Sequence, residues 1–304
     1  MDKREQPLFT DLETPPRSTA TKRRRANELT GSEWTRYSIS VWNDIRKSAD
    51  EAKSSHPAMF PSALVERLLQ CFTCRADQVV LDPFCGSGAT LLGARKVGKL
   101  GIGFEVSKDY YDLALKRVRE QQPSVLSERP DGPEPRLYNC DARLMAQHVE
   151  AESVDICITS PPYWDILSRK RTADYKGIRD YAGAPGDVSR VDDYGQFLDA
   201  LAAVFHEVHR ALRSKKYCIV DVMDIRKHDK FYPLHADLAR RLTEPDVGFV
   251  LDDTIIWDRR QEYNNLRPLG YPTTFRINKI HEYLLVFAKP DATSAPGKKD
   301  APPA

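Results

Sequence analysis

Gln78-Val79-Val80-Leu81-Asp82-Pro83-Phe84-Cys85-Gly86-Ser87-Gly88, with a helical run restarting at Ala89, is the stretch on which the fold is read. Its opening is a short β-branched, apolar run that reads as a strand. Strand, glycine-rich turn and helix together make a nucleotide-type pocket. Glycine lets the backbone pass close under a ligand, and the helix N-terminus offers N–H groups that have no partner within the helix. No Gly-Lys-Ser/Thr follows, so the turn is not a P-loop, and the third glycine of a dinucleotide fingerprint is missing too. Taken alone, the turn is also readable as a plain tight turn.

Working outward, β-branched runs alternate with helical patterns, the signature of βαβ units and a mostly parallel sheet. Pro61 opens a helix with Leu64, Leu68 and Cys71 on one face. Leu100 to Glu105 is a second strand, trailed by a helix from Lys108 to about Glu120. Leu137 to Asp141 is a third, and Val154 to Thr159 a fourth that runs straight into Ser160-Pro161-Pro162-Tyr163. A loop from about Asp165 to Asp192 exceeds the usual strand-to-helix connection. Phe197, Leu201, Val204, Val208 and Leu212 then repeat at helical spacing, with Arg210, Arg213 and Lys215 expected near that helix's C-terminus. Tyr217 to Asp221 is a fifth strand, followed by a helix from about Leu234. Phe249 to Trp257 and Tyr283 to Phe287 read as a closing antiparallel pair.

The 304 residues carry 46 Lys plus Arg against 44 Asp plus Glu, so bulk charge argues nothing about nucleic acid. No apolar stretch approaches the roughly 18 residues of a membrane span. The polar opening MDKREQPLFTDLETPP predicts no secretory leader, and with it a cytoplasmic location. Six cysteines are too few for a disulfide framework in a chain of this length, and Cys71 and Cys74 lack the companions of a zinc site, so no metal is expected. His206 and His209 read as a solvated helix face. Residues 1–29 form an expected disordered basic tail whose run from Arg17 to Arg25 holds five positive charges without an acid. It serves solubility or acts as a phosphate-contacting arm. Residues 30–290 are the single expected folded domain, and 291–304 a second low-complexity tail.

Asp82, Glu105 and Asp141 end successive strands and so face the carboxyl edge of the sheet, where doubly wound folds bind ligands. A helix N-cap is the plainer reading for any one of them. Two prolines after the fourth strand fix φ and remove two donors, which makes a rigid turn with outward carbonyls. Ser160 adds a hydroxyl, and Tyr163 with Trp164 an aromatic face. Acceptors aimed at an amine beside an aromatic plane suit a nucleobase held by its exocyclic amino group.

The sequence here resembles the S-adenosylmethionine-dependent amino-group DNA methyltransferases. Asp82 to Gly88 looks like their cofactor loop, Ser160-Pro161-Pro162-Tyr163 like their catalytic tetrapeptide, and His56-Pro57-Ala58-Met59-Phe60-Pro61 like the segment that packs on the cofactor's methionine end. The resemblance implies an α/β, Rossmann-like methyltransferase fold with a mostly parallel seven-stranded sheet and a C-terminal antiparallel hairpin. It implies S-adenosyl-L-methionine as cofactor and contacts from His56, Phe60, Pro61, Asp82, Phe84, Gly86, Gly88, Glu105 and Asp141. Glu105 would take the ribose hydroxyls, Asp141 the adenine amino group, and Asp82 with the Gly86 turn the methionine portion. Ser at the head of the tetrapeptide is typical of cytosine-N4 enzymes, with adenine-N6 the alternative; Tyr163 in place of Cys argues against cytosine C5. An RNA amino-group methyltransferase and a non-catalytic DNA-binding protein are the other readings. The expected partner is DNA, with a cognate restriction endonuclease as a further one. Arg169, Lys170 and Arg171 in the long loop, and Arg259, Arg260, Asn264 and Arg267 in a second segment spanning 259–280, are candidate DNA contacts. Solvated charged loops are the plainer reading of both.

Overall fold

Burial on both faces of the central strands dictates the layering. β2 (Val79–Asp82), β3 (Leu100–Phe104) and β5 (Val154–Thr159) are almost wholly buried, as parallel strands are when helices cover the sheet above and below. The computed structural model describes residues 25–47, 61–120, 132–164, 186–227, 229–262, 272–274 and 276–291. With β1 (Val41–Trp42), β4 (Arg136–Tyr138), β6 (Leu212–Val222), β9 (Val250–Asp258) and β10 (His281–Ala288), these strands form a sheet in the order β1-β9-β10-β6-β5-β2-β3-β4. From β4 to β6 every neighbour is parallel. β10 runs antiparallel to both β6 and β9. The expected parallel sheet with its antiparallel pair is therefore present.

Successive strand residues face opposite helical layers. Val80, Ile156 and Ile219 pack with Leu64 and Leu68 of α2 (Ser62–Phe72). Leu81, Cys157 and Val220 pack with Phe197, Leu201 and Phe205 of α5 (Tyr194–Ala211). The other helices are α1 (Gly31–Tyr37), α3 (Ala89–Lys96), α4 (Lys108–Glu120) and α6 (Leu234–Leu242). Among the described residues no helix is long and apolar enough to cross a membrane.

Four expectations need correction. The sheet has eight strands, because β1 adds to β9 through Val41↔Ile256 and Trp42↔Trp257; two residues are too few to show a period. The helical repeat stops at Ala211. Leu212 is already extended and begins β6, so Arg213 and Lys215 lie on a strand, where Arg213 pairs with Asp155. An apolar first strand residue mimics one more helical turn. A hairpin of β7 (Ile225–Lys227) and β8 (Lys230–Tyr232) follows β6. His209, expected in solvent, packs edge-on to Phe249 at 5.0 Å, and burial holds its imidazole down at about 4.

The parallel strands deliver the segments after β2, β3, β4, β5 and β6 to one edge of the sheet. β9, two antiparallel steps from β6, ends there as well, and β10 starts there.

Candidate functional site

At that edge the glycine turn is held by two buried acids. Asp82 Oδ1 accepts from the Phe84 N–H at 3.0 Å and from the Thr159 hydroxyl at 2.6 Å. Glu105 accepts the Gly86 N–H on Oε2 at 3.0 Å and the Ser107 N–H on Oε1 at 2.7 Å. Gly88 caps α3 at φ +81°, and a Cβ there would sit 3.2 Å from the Ala114 Cβ, so both conformation and contact require glycine. Burial pushes the Asp82 carboxyl up to about 6, against hydrogen bonds that oppose it. Burial likewise pushes Glu105 up to about 7.

Ser160 to Tyr163 follow β5 directly. The Tyr163 phenol is raised well above the usual range by burial first, then by the Glu282 and Asp221 charges, while a hydrogen bond from Ser160 opposes the shift. Trp164 closes the corner at φ +33°, its N–H donating to the Pro162 carbonyl at 3.1 Å. A non-glycine residue in that region is strained and persists only where its surroundings fix it. Here they do: Trp164 is 4% exposed, packed against Tyr194, Phe197 and Tyr232. Trp164 is thus an anchor of the corner, and the aromatic face expected of it falls to Tyr163 alone.

Asp141 lies past the end of β4, not on it. It caps the 3-10 turn Ala142–Gln147 by accepting from Arg143 N at 2.9 Å and pairs with the Arg143 guanidinium at 2.5 Å. Its hydrogen bonds are those of the plainer N-cap reading, yet it also lines the cleft. Opposite it stands Asp187, a residue the sequence reading did not single out. Asp187 Oδ1 accepts from Ser189 N and Oγ at 2.9 and 2.6 Å. Its buried Oδ2 has no hydrogen bond, with Arg190 Nε at 3.8 Å. Gly186 before it adopts φ +94°, and a Cβ there would fall 2.5 Å from Asp141 Oδ2. That glycine, at the close of a long loop, was the one available signal.

These groups enclose a single cleft with about 930 Å³ of empty space, open mouth included. Asp82, Phe84, Gly86, Glu105 and Asp141 line one side, Ser160 to Tyr163 another, and Asp187 a third. Among the described residues Asp187 Oδ2, in the lining, is buried without a hydrogen-bond partner. Buried polar atoms of this kind call for a partner, and the surplus of carboxylate acceptors fits a ligand rich in hydroxyl, amino and cationic groups.

The remaining candidates are scattered. Pro61 caps α2, and the cleft lining does not include it. Arg259 pairs with buried Glu282 and lies 4.8 Å over the Trp257 ring, so its guanidinium is engaged within the protein. The Arg260 side chain is 70% exposed beside Asp258. His56, Phe60, Arg169, Lys170, Arg171, Asn264 and Arg267 fall outside the described residues. Among the described residues no group of three or more His, Cys, Asp or Glu is arranged to hold a metal.

The N6/N4 DNA methylase family model matches residues 3–116 and 154–301. The chain belongs to this family. Proteins similar to it include the type II methyltransferase M.ScaI of Streptomyces caespitosus, 42% identical over 85 residues, a match covering 28% of this chain and 27% of the relative. The type II methyltransferase M.HindIII of Haemophilus influenzae is 34% identical over 97 residues, covering 28% and 31%. Each match thus spans under a third of the relative's length. Among solved structures, the Thermus thermophilus protein TTHA0409 complexed with S-adenosyl-L-methionine is 28% identical at a TM-score of 0.35, over 52% of this chain and 56% of that one.

Proposed function

We propose that this N6/N4 DNA methylase transfers a methyl group from S-adenosyl-L-methionine to the N4 amino group of a cytosine flipped out of DNA. The observation that carries the reading is the sharing of one cleft by the Gly86 turn and the Ser160-to-Tyr163 corner. S-adenosylmethionine supplies an electrophilic methyl group on a cationic sulfur. Glu105 would hold the ribose hydroxyls on the lone pairs that the Gly86 and Ser107 N–H groups leave open. Asp141 would hold the adenine amino group, and Asp82 with the Gly86 turn the methionine portion. Phe84 shapes the same wall, and Gly88 caps the helix behind it.

On the substrate side the difficulty is a nitrogen whose lone pair is delocalised into the ring. A hydrogen bond joins the Ser160 hydroxyl and the Tyr163 phenol, and the serine lone pairs it leaves open would accept one amino hydrogen. The Pro161 carbonyl accepts the other, and proline's fixed φ keeps it aimed there. Together the two acceptors localise the nitrogen pair and turn it into the cleft. Rate comes from orientation and fixed dipoles, without a covalent intermediate. A stacked duplex hides that nitrogen, so the base must leave the stack, and the half-buried Tyr163 ring replaces part of the lost stacking. Serine at position 160 favours cytosine over adenine.

Digestion and mass spectrometry of DNA from cells expressing the protein tests this. N4-methylcytosine above the background of the empty host is expected. N6-methyladenine in its place would overturn the choice of base.

A further inference from the structure

We infer that the β7–β8 hairpin is a clamp for duplex DNA backbone beside the flipped base. The inference rests on the proposed DNA substrate and adds to it a surface that the long loops do not include. The hairpin follows β6, which runs parallel to β5, so it leaves the sheet at the edge that carries Ser160. The cofactor turn lies on the β2–β4 side of that residue, which leaves the β6–β10–β9 side for the polynucleotide.

The hairpin's pairing sorts its side chains. Ile225↔Tyr232, Arg226↔Phe231 and Lys227↔Lys230 stand opposite one another, and alternate pairs face opposite sides. One side grips the catalytic corner: Lys227 Nζ lies 3.6 Å from the Trp164 ring centroid, and Tyr232 meets the same ring at 5.2 Å. The other side presents Phe231, 38% exposed, between cations. Arg226 lies 5.5 Å and Lys279 Nζ 5.0 Å from its ring. Lys230, exposed as well, belongs to the corner side, where its Nζ lies 4.8 Å from the Tyr232 ring. Lys279 comes from the segment before β10, where Arg276 pairs with the exposed Asp229 at 2.6 Å.

Three of the acids nearby are engaged, while the exposed Asp192 shares a pocket lining with Lys230 and Phe231. Asp224 binds His235 at 2.6 Å, Asp237 accepts from the Tyr194 hydroxyl at 2.9 Å, and Asp193 caps α5. An exposed aromatic ring ringed by long cations, at fixed distance from the base-holding corner, matches phosphates with a sugar or base edge between them. Because Trp164 is packed against the hairpin, backbone grip and corner geometry are set by one unit.

The test measures binding of a 20-bp duplex to the full chain by fluorescence anisotropy between 50 and 200 mM salt. Arg226→Ala/Lys279→Ala should raise Kd at least tenfold at 100 mM salt. It should also reduce the slope of log Kd against log salt by about two, the value for two lost phosphate contacts. Its melting temperature and affinity for S-adenosylmethionine should be unchanged. A control losing the same charge on α4, Lys116→Ala/Arg119→Ala, should keep the original slope. An unaltered Kd and slope in the hairpin variant, or an equal loss in the control, would overturn the clamp while leaving the proposed function standing. Single-stranded RNA bound as tightly, with the same loss on substitution, would overturn the assignment to duplex DNA. No duplex binding by the unsubstituted protein at 50 mM salt would instead strike the proposed function itself.

Discussion

The Thr159 hydroxyl donates to Asp82 Oδ1 at 2.6 Å, a buried bond between the last residue of β5 and the last residue of β2. The next residue on one side is Ser160, and the glycine turn begins on the other. One contact therefore fixes the register between the two halves of the cleft.

Thr159→Val keeps shape and removes the donor. A buried carboxylate left short of a partner costs about 1–3 kcal/mol, so urea unfolding should show a loss of that size. Thr159→Ser, which keeps the hydroxyl, should stay close to the parent. Equal stability of the valine and serine variants would contradict the role given to this bond.

Burial sets a pH dependence for the ligand-free protein. Asp82 titrates at about 6 and Glu105 at about 7, whereas carboxyls in an unfolded chain titrate near 4. Both bind a proton more tightly when folded. Their contribution is complete below about pH 4 and is lost as pH rises through 6 and 7. The melting temperature should fall between pH 5 and 7.5, and Asp82→Asn with Glu105→Gln should flatten that fall. A parent protein whose stability rises steadily across the window would refute it.

Cofactor binding should run the other way. Ribose hydroxyls are held best by the ionised form of Glu105, so binding expels a proton and affinity should increase from pH 6 to 8. Calorimetry in buffers of different ionisation enthalpy reads that proton directly. Glu105→Gln should weaken binding about 10- to 100-fold, the range of hydrogen bonds to a charged group, and at pH 8, where Asp82 is already ionised, should remove the proton release due to Glu105.

Tyr163→Phe separates stacking from proton placement. It keeps the ring and loses the partner of the Ser160 hydroxyl, and kcat should drop about tenfold, the worth of one hydrogen bond of about 1.4 kcal/mol. Ser160→Ala with Tyr163→Ala should abolish methylation and leave cofactor affinity within a few-fold. Steady-state kinetics with S-adenosylmethionine titration tells these apart; an active double variant would remove both residues from the mechanism.

What the sequence reveals depends on how local the cause is. Val154 to Thr159 are all buried, so their apolar run announces β5 with its bounds, and Ser160 follows at once. Glu105 and Asp82 are legible because strand ends carry ligands in this fold class. Asp187 is not, since a long loop brings it across to Asp141 and no spacing records that. Arg259 reads as an exposed cation until Glu282, 23 residues away on a neighbouring strand, claims it. The β7–β8 hairpin is three residues a side, too short and too charged to show a period.

A crystal structure with a cofactor analogue and a duplex holding the target site tests the central claim most directly. The account predicts the target amino nitrogen within hydrogen-bond distance of Ser160 Oγ and the Pro161 carbonyl, with the cofactor's sulfur facing it from the Gly86 side. A flipped base elsewhere, or a cofactor sulfur turned away from Ser160, would contradict it.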